Sequence, residues 1–172
     1  RNRVTASRFA SACGAPGARS SPGMVVRDMI SMPEADPNQV RRFGVRFERS
    51  AFQAYAAWCN KQGTGVKVKD VGVCVSSTDP WLAGSPDGLC FVEGAPVGLL
   101  EIKTGRQWSG LFEAEPPLDW LYQVHGCMHL ASKALNAVIE WCDLFYWTPT
   151  KHSCQRIMFD RDLWEGAMYP AL

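Results

Sequence analysis

Between Gln39 and Asn60 the apolar residues Val40, Phe43, Phe47, Ala51, Ala54 and Trp58 recur every three or four positions. That spacing predicts a long amphipathic helix, stopped by Gly63 and Gly65. The period then shortens. Val66, Val68, Val71, Val73 and Val75 alternate as a strand, and Trp81-Leu82 opens another. Asp87 to Val92 and Val97 to Lys103 read as two strands joined by a turn at Glu93-Gly94-Ala95-Pro96. Helical spacing returns over Leu118 to Ala134, with Leu121, Val124, Met128 and Leu130 on or near the apolar side. Ala137 to Trp147 and Gln155 to Phe159 are strand-like, and Asp160 to Met168 reads as a last short helix. At the other end, Val4 to Ala12 predicts a short helix capped near Thr5 or Ser7 and ended by Gly14. Residues 14–23, rich in Gly, Ala, Pro and Ser, read as a flexible loop. This order predicts an α/β fold, a mixed central sheet flanked by helices.

Composition narrows the picture. The 172 residues suit one domain, 1–172, and the chain opens at Arg1 without Met, as a trimmed domain would. Lys and Arg number 18 against 17 Asp and Glu, so a nucleic-acid partner would need locally concentrated cations. No apolar run approaches the ~20 residues of a membrane-spanning helix. Seven cysteines, an odd number at irregular spacing without a C-x-x-C pair, argue against a disulfide framework or zinc knuckle. They suit buried, reduced thiols in an intracellular protein. His125, Cys127 and His129 alternate within a helical segment, where alternate side chains diverge, so convergence on one metal is disfavoured.

The segment that carries chemistry runs from Gly84 to Thr104. Asp87 lies in the Ser-Pro-Asp-Gly turn that opens one strand, and Glu101 and Lys103 stand two apart on the next. Period-two geometry puts Glu101 and Lys103 on one face, and the hairpin can bring Asp87 beside Glu101. Two hard carboxylates suit Mg²⁺, and an adjacent lysine can orient water or meet charge building on a phosphate. Ser-Pro-Asp-Gly alone is an ordinary turn, and Glu-x-Lys alone an ordinary strand edge. Here Leu99, Leu100 and Ile102 make the strand apolar, and charges inside such a strand usually need a partner or a metal.

Asp87 followed by Glu101-Ile102-Lys103 resembles the PD-(D/E)xK nuclease signature, and the wider pattern resembles lambda-type exonucleases of the YqaJ viral-recombinase family. Val4-Thr5-Ala6-Ser7-Arg8-Phe9 is similar to the family's opening R-I-T-A-S motif, and Gly44, Glu48 and Tyr55 to its helical G-x-x-x-E…Y motif. Gly84-Ser85-Pro86-Asp87-Gly88-Leu89 and Leu100-Glu101-Ile102-Lys103 match the two strand motifs. Tyr122-Gln123-Val124-His125-Gly126-Cys127-Met128 is similar to Y-Q-V-Q-G-Q-M, with His125 in place of a second glutamine. Trp141 to Thr148 and Arg156 to Asp160 resemble the closing strands.

The resemblance implies a PD-(D/E)xK restriction-endonuclease-like core and a Mg²⁺-dependent exonuclease, with Mn²⁺ able to substitute. Such an enzyme digests duplex DNA from its ends, 5′ to 3′, leaving 3′ single strands for recombination or repair. Asp87, Glu101 and the Ile102 backbone carbonyl would ligate the metal, with Glu48 joining directly or through water. Lys103 would activate the attacking water, and Gln123 would place Lys103 or the scissile phosphate. The family's arginine that contacts the DNA 5′-phosphate falls one position before Arg1, so Arg1 or Arg3 would stand in for it, with Ser7 and Ser85 as further phosphate contacts. Arg1, Arg3 and Arg8 at the first helix, and Arg41, Arg42, Arg46 and Arg49 around Glu48, form two local cation clusters. Expected partners are duplex DNA ends, a single-strand annealing protein and further copies in a homotrimeric ring; the aromatics of the 105–120 loop, such as Trp108, Phe112 and Trp120, would line the DNA channel, join subunits or simply pack against the core. Two alternatives remain: an endonuclease or RNase with the same site, and a non-catalytic nucleic-acid-binding module of the same fold.

Overall fold

The computed structural model describes residues 3–30, 38–105 and 115–172, with side chains omitted over 38–46. Among the described residues, five strands form a mixed sheet in the order β2-β5-β6-β7-β8. These are β2 (Lys67–Lys69), β5 (Gly88–Val92), β6 (Ala95–Thr104), β7 (Trp141–Trp147) and β8 (His152–Met158). Only β6 and β7 run parallel; the other neighbours are antiparallel. A smaller sheet joins β1 (Val4–Thr5), β4 (Leu82–Gly84) and β3 (Cys74–Val75), with β4 in the middle. The expected central sheet flanked by helices is present, with this second sheet added.

The strands sort their side chains by alternation. Leu100, Ile102 and Phe145 point to one face and pack beneath Ala51, Tyr55 and Cys59 of α3 (Asn38–Gln62). Leu99, Leu144 and Tyr146 point to the other and meet Val124, Met128 and Leu130 of α4 (Leu118–Leu135). Each layer of the core is thus a helix stripe set on a strand row. Both long helices match their periodic patterns to within two residues.

Several expected boundaries shift. Val4 and Thr5 do not begin a helix; they extend to pair in parallel with Leu82 and Ala83, and a 3₁₀ turn over Ala6–Arg8 leads into α1 (Phe9–Ala12). Gly14 takes φ 66° just past that helix, a conformation only glycine adopts without strain. The 14–23 loop ends early, because Pro22 opens an unexpected helix, α2 (Pro22–Ile30). The strand expected over Val66–Val75 is two strands, β2 and β3, which belong to different sheets. The β5–β6 turn is tighter than expected: Glu93 and Gly94 alone turn the chain at φ 52° and 87°, while Ala95 and Pro96 already pair with Val92 and Phe91. β7 starts at Trp141, four residues after the expected start, and the last helix divides into α5 (Arg161–Leu163) and a π turn over Trp164–Met168.

All seven cysteines are free thiols, and Cys59, Cys74, Cys90, Cys127 and Cys142 are buried. Burial pushes the Cys90 thiol up to about 12, which keeps it protonated and inert. Beneath α3, Asp143 is almost fully buried and fully engaged. Arg156 donates to both its oxygens at 2.7 and 2.8 Å, Tyr55 Oη donates to Oδ2 at 2.8 Å, and the guanidinium lies 3.7 Å from the Trp141 ring centre. This network ties β7, β8 and α3 together.

Candidate active site

β6 delivers Glu101 and Lys103 to the α4 face of the sheet, as the two-residue period requires. Glu101 is 4% exposed, so its charge must be met inside the protein. Its Oε1 accepts from Lys103 Nζ at 2.8 Å and from Gln123 Nε2 at 2.7 Å. Gln123, on α4, also accepts from Lys103 Nζ through its own Oε1 at 2.9 Å. The three side chains close a triangle in which the amide is read in one orientation only. Glu101 Oε2 is buried without a hydrogen-bond partner among the described residues.

Asp87 reaches the same place from the start of β5. Its backbone N–H donates to the Leu100 carbonyl at 3.0 Å, and its Oδ2 accepts from Ile102 N–H at 2.6 Å. The carboxyl is therefore held against the edge of β6 where β5 has not yet begun. A strand residue's N–H and C=O point to the same neighbour, so the Ile102 carbonyl is directed to that edge too. Gly88 makes room for the third carboxylate: a Cβ there would lie 3.1 Å from the Phe52 ring and 2.7 Å from Val68. Its absence lets α3 approach, and Glu48 stands one helical turn before Phe52 on the same face. Glu48, Asp87, Arg49, Phe52, Gln53 and Asp70 line an open cleft of about 630 Å³.

The carboxylates push against one another. The Asp87 carboxyl is pushed up to about 7, by burial first and then by the charges of Glu101 and Glu48, although the Ile102 N–H opposes the shift. Burial also raises Glu101, outweighing the opposing effect of Lys103 and Gln123. Among the described residues no group of three or more His, Cys, Asp or Glu side chains is placed to hold a metal ion. An open site with two carboxylates fits Mg²⁺, which keeps several waters and takes one or two protein carboxylates. The orphaned Oε2 of Glu101 and the raised Asp87 carboxyl are what a cation at that point would relieve.

A second cavity, of about 210 Å³, opens beside Gln123. Thr5, Ser7, Gly84, Ser85, Gln123 and Cys127 line it, so the two serines share a pocket with the amide that bonds Glu101 and Lys103. Arg3 and Arg8 are already engaged: Arg3 Nε donates to the Pro80 carbonyl at 2.8 Å, and Arg8 pairs with Asp28. Arg1, Trp108 and Phe112 lie outside the described residues, as do the side chains of Arg41, Arg42 and Arg46. Arg49 is exposed and lines the cleft; the charge run included it without marking it as a site residue. His125 donates from Nδ1 to the Leu121 carbonyl at 2.7 Å, while its buried Nε2 has no partner among the described residues. His129 instead stacks on Trp164, with ring centres 4.4 Å apart.

The model of the YqaJ-like viral recombinase domain matches residues 1–134, which include every part of this cluster. The chain belongs to that family. This YqaJ-like domain also shares its fold with solved structures. An alkaline exonuclease (LHK-Exo) from Laribacter hongkongensis superposes with a TM-score of 0.72 at 23% identity, over 99% of this chain and 84% of that one. Its complex with dAMP gives 0.73 at 22% identity with the same coverage. SSO0001 gives 0.58 at 15% identity, over 99% of this chain and 73% of that one. These likenesses establish a fold consistent with the PD-(D/E)xK core. No curated protein matches the sequence significantly.

Proposed function

We propose that this YqaJ-like domain is a Mg²⁺-dependent deoxyribonuclease that digests duplex DNA from its ends, 5′ to 3′, and leaves 3′ single strands. One observation carries the reading: Glu101, with a free buried oxygen, is locked to Lys103 and Gln123 beside an Asp87 whose carboxyl is raised to about 7. A binding module has no use for such a cluster. The alkaline exonuclease of the same fold supports the choice of nuclease class.

Asp87, Glu101 and the Ile102 carbonyl would hold the metal, with Glu48 reaching it directly or through water. Bound Mg²⁺ would lower the pKa of water and neutralise charge on the phosphate and the leaving 3′-oxygen. Lys103 points its ammonium into the site and meets negative charge as it builds in the transition state. Gln123 holds that ammonium and also lines the serine-bearing cavity. Ser7 and Ser85 would donate there to a terminal 5′-phosphate, and Arg49 would contact the strand in the open cleft, with Arg1, Arg42 and Arg46 adding charge along the path. Duplex ends are the proposed substrate, with a single-strand annealing protein and a homotrimer as proposed partners. No described helix is long and apolar enough to cross a membrane; an intracellular setting is part of the proposal.

The test is one panel: end-labelled linear duplex, closed-circular duplex and single-stranded RNA, each with Mg²⁺, with Mn²⁺ and with EDTA. Shortening of the linear duplex from its 5′ ends, dependent on either cation, supports the proposal. Rapid cutting of the closed circle would make the protein an endonuclease, cleavage of RNA alone an RNase, and metal-independent binding without cleavage a binding module.

A further inference from the structure

Lys103 is a flexible four-carbon side chain asked to hold one point in space, and two hydrogen bonds leave it free to swing about the line joining them. A third constraint is present. The Trp120 ring lies beside the ammonium, with Nζ 5.5 Å from its centre, within cation–π range. Trp120 sits in the first turn of α4, three residues before Gln123, so both project from one helix face towards Lys103. Its backbone N–H is tied to the Pro117 carbonyl at 2.9 Å. On the sheet below, Tyr146 is the strand partner of Lys103, and its fully buried ring lies 5.7 Å from that of Trp120. The indole is thus seated on the residue beside the lysine it covers.

We infer that Trp120 is a positioning residue for Lys103, its indole face holding the ammonium in the orientation that Glu101 and Gln123 set from the other sides. The inference rests on the hydrolytic reading of the site. A cation drawn to Glu101 competes with Lys103 for the carboxylate, whereas the ring holds the ammonium without sharing electrons with that cation. The sequence named Trp120 among the aromatics of the 105–120 loop, although helical spacing began at Leu118; it is half-buried and inside the helix.

The test uses the full chain and a labelled linear duplex. Trp120→Leu is expected to lower the single-turnover rate in Mg²⁺ about 10-fold, equivalent to about 1.4 kcal/mol of barrier. The duplex Kd in EDTA should stay within about twofold. Trp120→Phe keeps an aromatic face and should recover most of the rate. In EDTA, the melting shifts of Trp120→Leu and Lys103→Met should be non-additive in the double variant. An unchanged rate in Trp120→Leu overturns the inference, as do equal losses in the Leu and Phe variants or additive melting shifts. A raised Kd with the rate intact would make the ring a DNA contact instead. The hydrolytic reading fails independently, if Asp87→Ala cleaves as fast as the wild type.

Discussion

Asp87 is the residue at which stability and function oppose each other. With its carboxyl raised to about 7 from a normal 3.8, the folded protein holds a proton that the unfolded chain has released between those values. The stability this group contributes is therefore complete below about pH 4 and lost as pH rises through about 7. Asp87→Asn keeps an acceptor for the Ile102 N–H but carries no charge. In EDTA its melting temperature should match the wild type near pH 4, where both side chains are neutral, and exceed it by several degrees near pH 8. Excess Mg²⁺ should shrink that gap by stabilising the wild type alone. A gap that is the same at both pH values would mean that Asp87 is not electrostatically strained. Lys103→Ala should lose at least ~10²-fold in rate with little change in DNA affinity, and Lys103→Arg should not restore it, because a planar fork cannot occupy the ammonium's point position. A weakened Kd with unchanged turnover would reduce Lys103 to phosphate attraction. At this scale the sequence was informative where geometry is local. Glu101 and Lys103 had to share a face because strands alternate. That Arg49 lines the cleft was not readable, because packing and not spacing decides what a helical side chain faces.

At the scale of elements, α1 and α4 meet so closely that a Cβ at Gly126 would collide with the fully buried Phe9 ring. Gly126→Ala gains about 1 kcal/mol of helix propensity. It forces apart two elements that cannot yield, a cost of about 1–3 kcal/mol. The net expectation is destabilisation of about 1 kcal/mol, read as a lower denaturant midpoint, together with a weaker 5′-phosphate preference, since the serine-lined cavity lies along this seam. A stabilised variant would show that the seam is loose. Arg156→Leu would strand the buried Asp143 charge; with Arg156 partly exposed, a loss of about 2 kcal/mol is expected in the same measurement. The long helices were legible because a wide apolar stripe repeats over several turns. α2 was not, since only Val25 of its nine residues is buried while Met24, Val26 and Ile30 are exposed. The valines from 66 to 75 misled for a related reason. Alternation reports which side of a segment is buried but not which strand it pairs with, and this segment crosses from one sheet to the other.

For the molecule as a whole, near-neutral charge means that the proposed DNA binding would come from a few cations placed along one path. Arg49→Ala should weaken duplex binding uniformly across sequences and reduce the salt dependence of log Kd by about one counterion. An unaltered salt slope would place the strand elsewhere. The scaffold that positions these groups is stiff where it matters: Glu101, Lys103, Asp87 and Gln123 all stand on or beside the central strands and α4, linked by bonds of 2.6–2.9 Å. The ordered motifs made that assembly legible before its geometry, because each motif marks a residue that only the fold brings together. The most direct test compares wild type, Asp87→Ala and Glu101→Ala on 5′-labelled linear duplex DNA with Mg²⁺ and with EDTA. Release of label by the wild type in Mg²⁺ alone, and by neither variant although both remain folded in EDTA, is the expected result. Wild-type release by either variant would contradict the site.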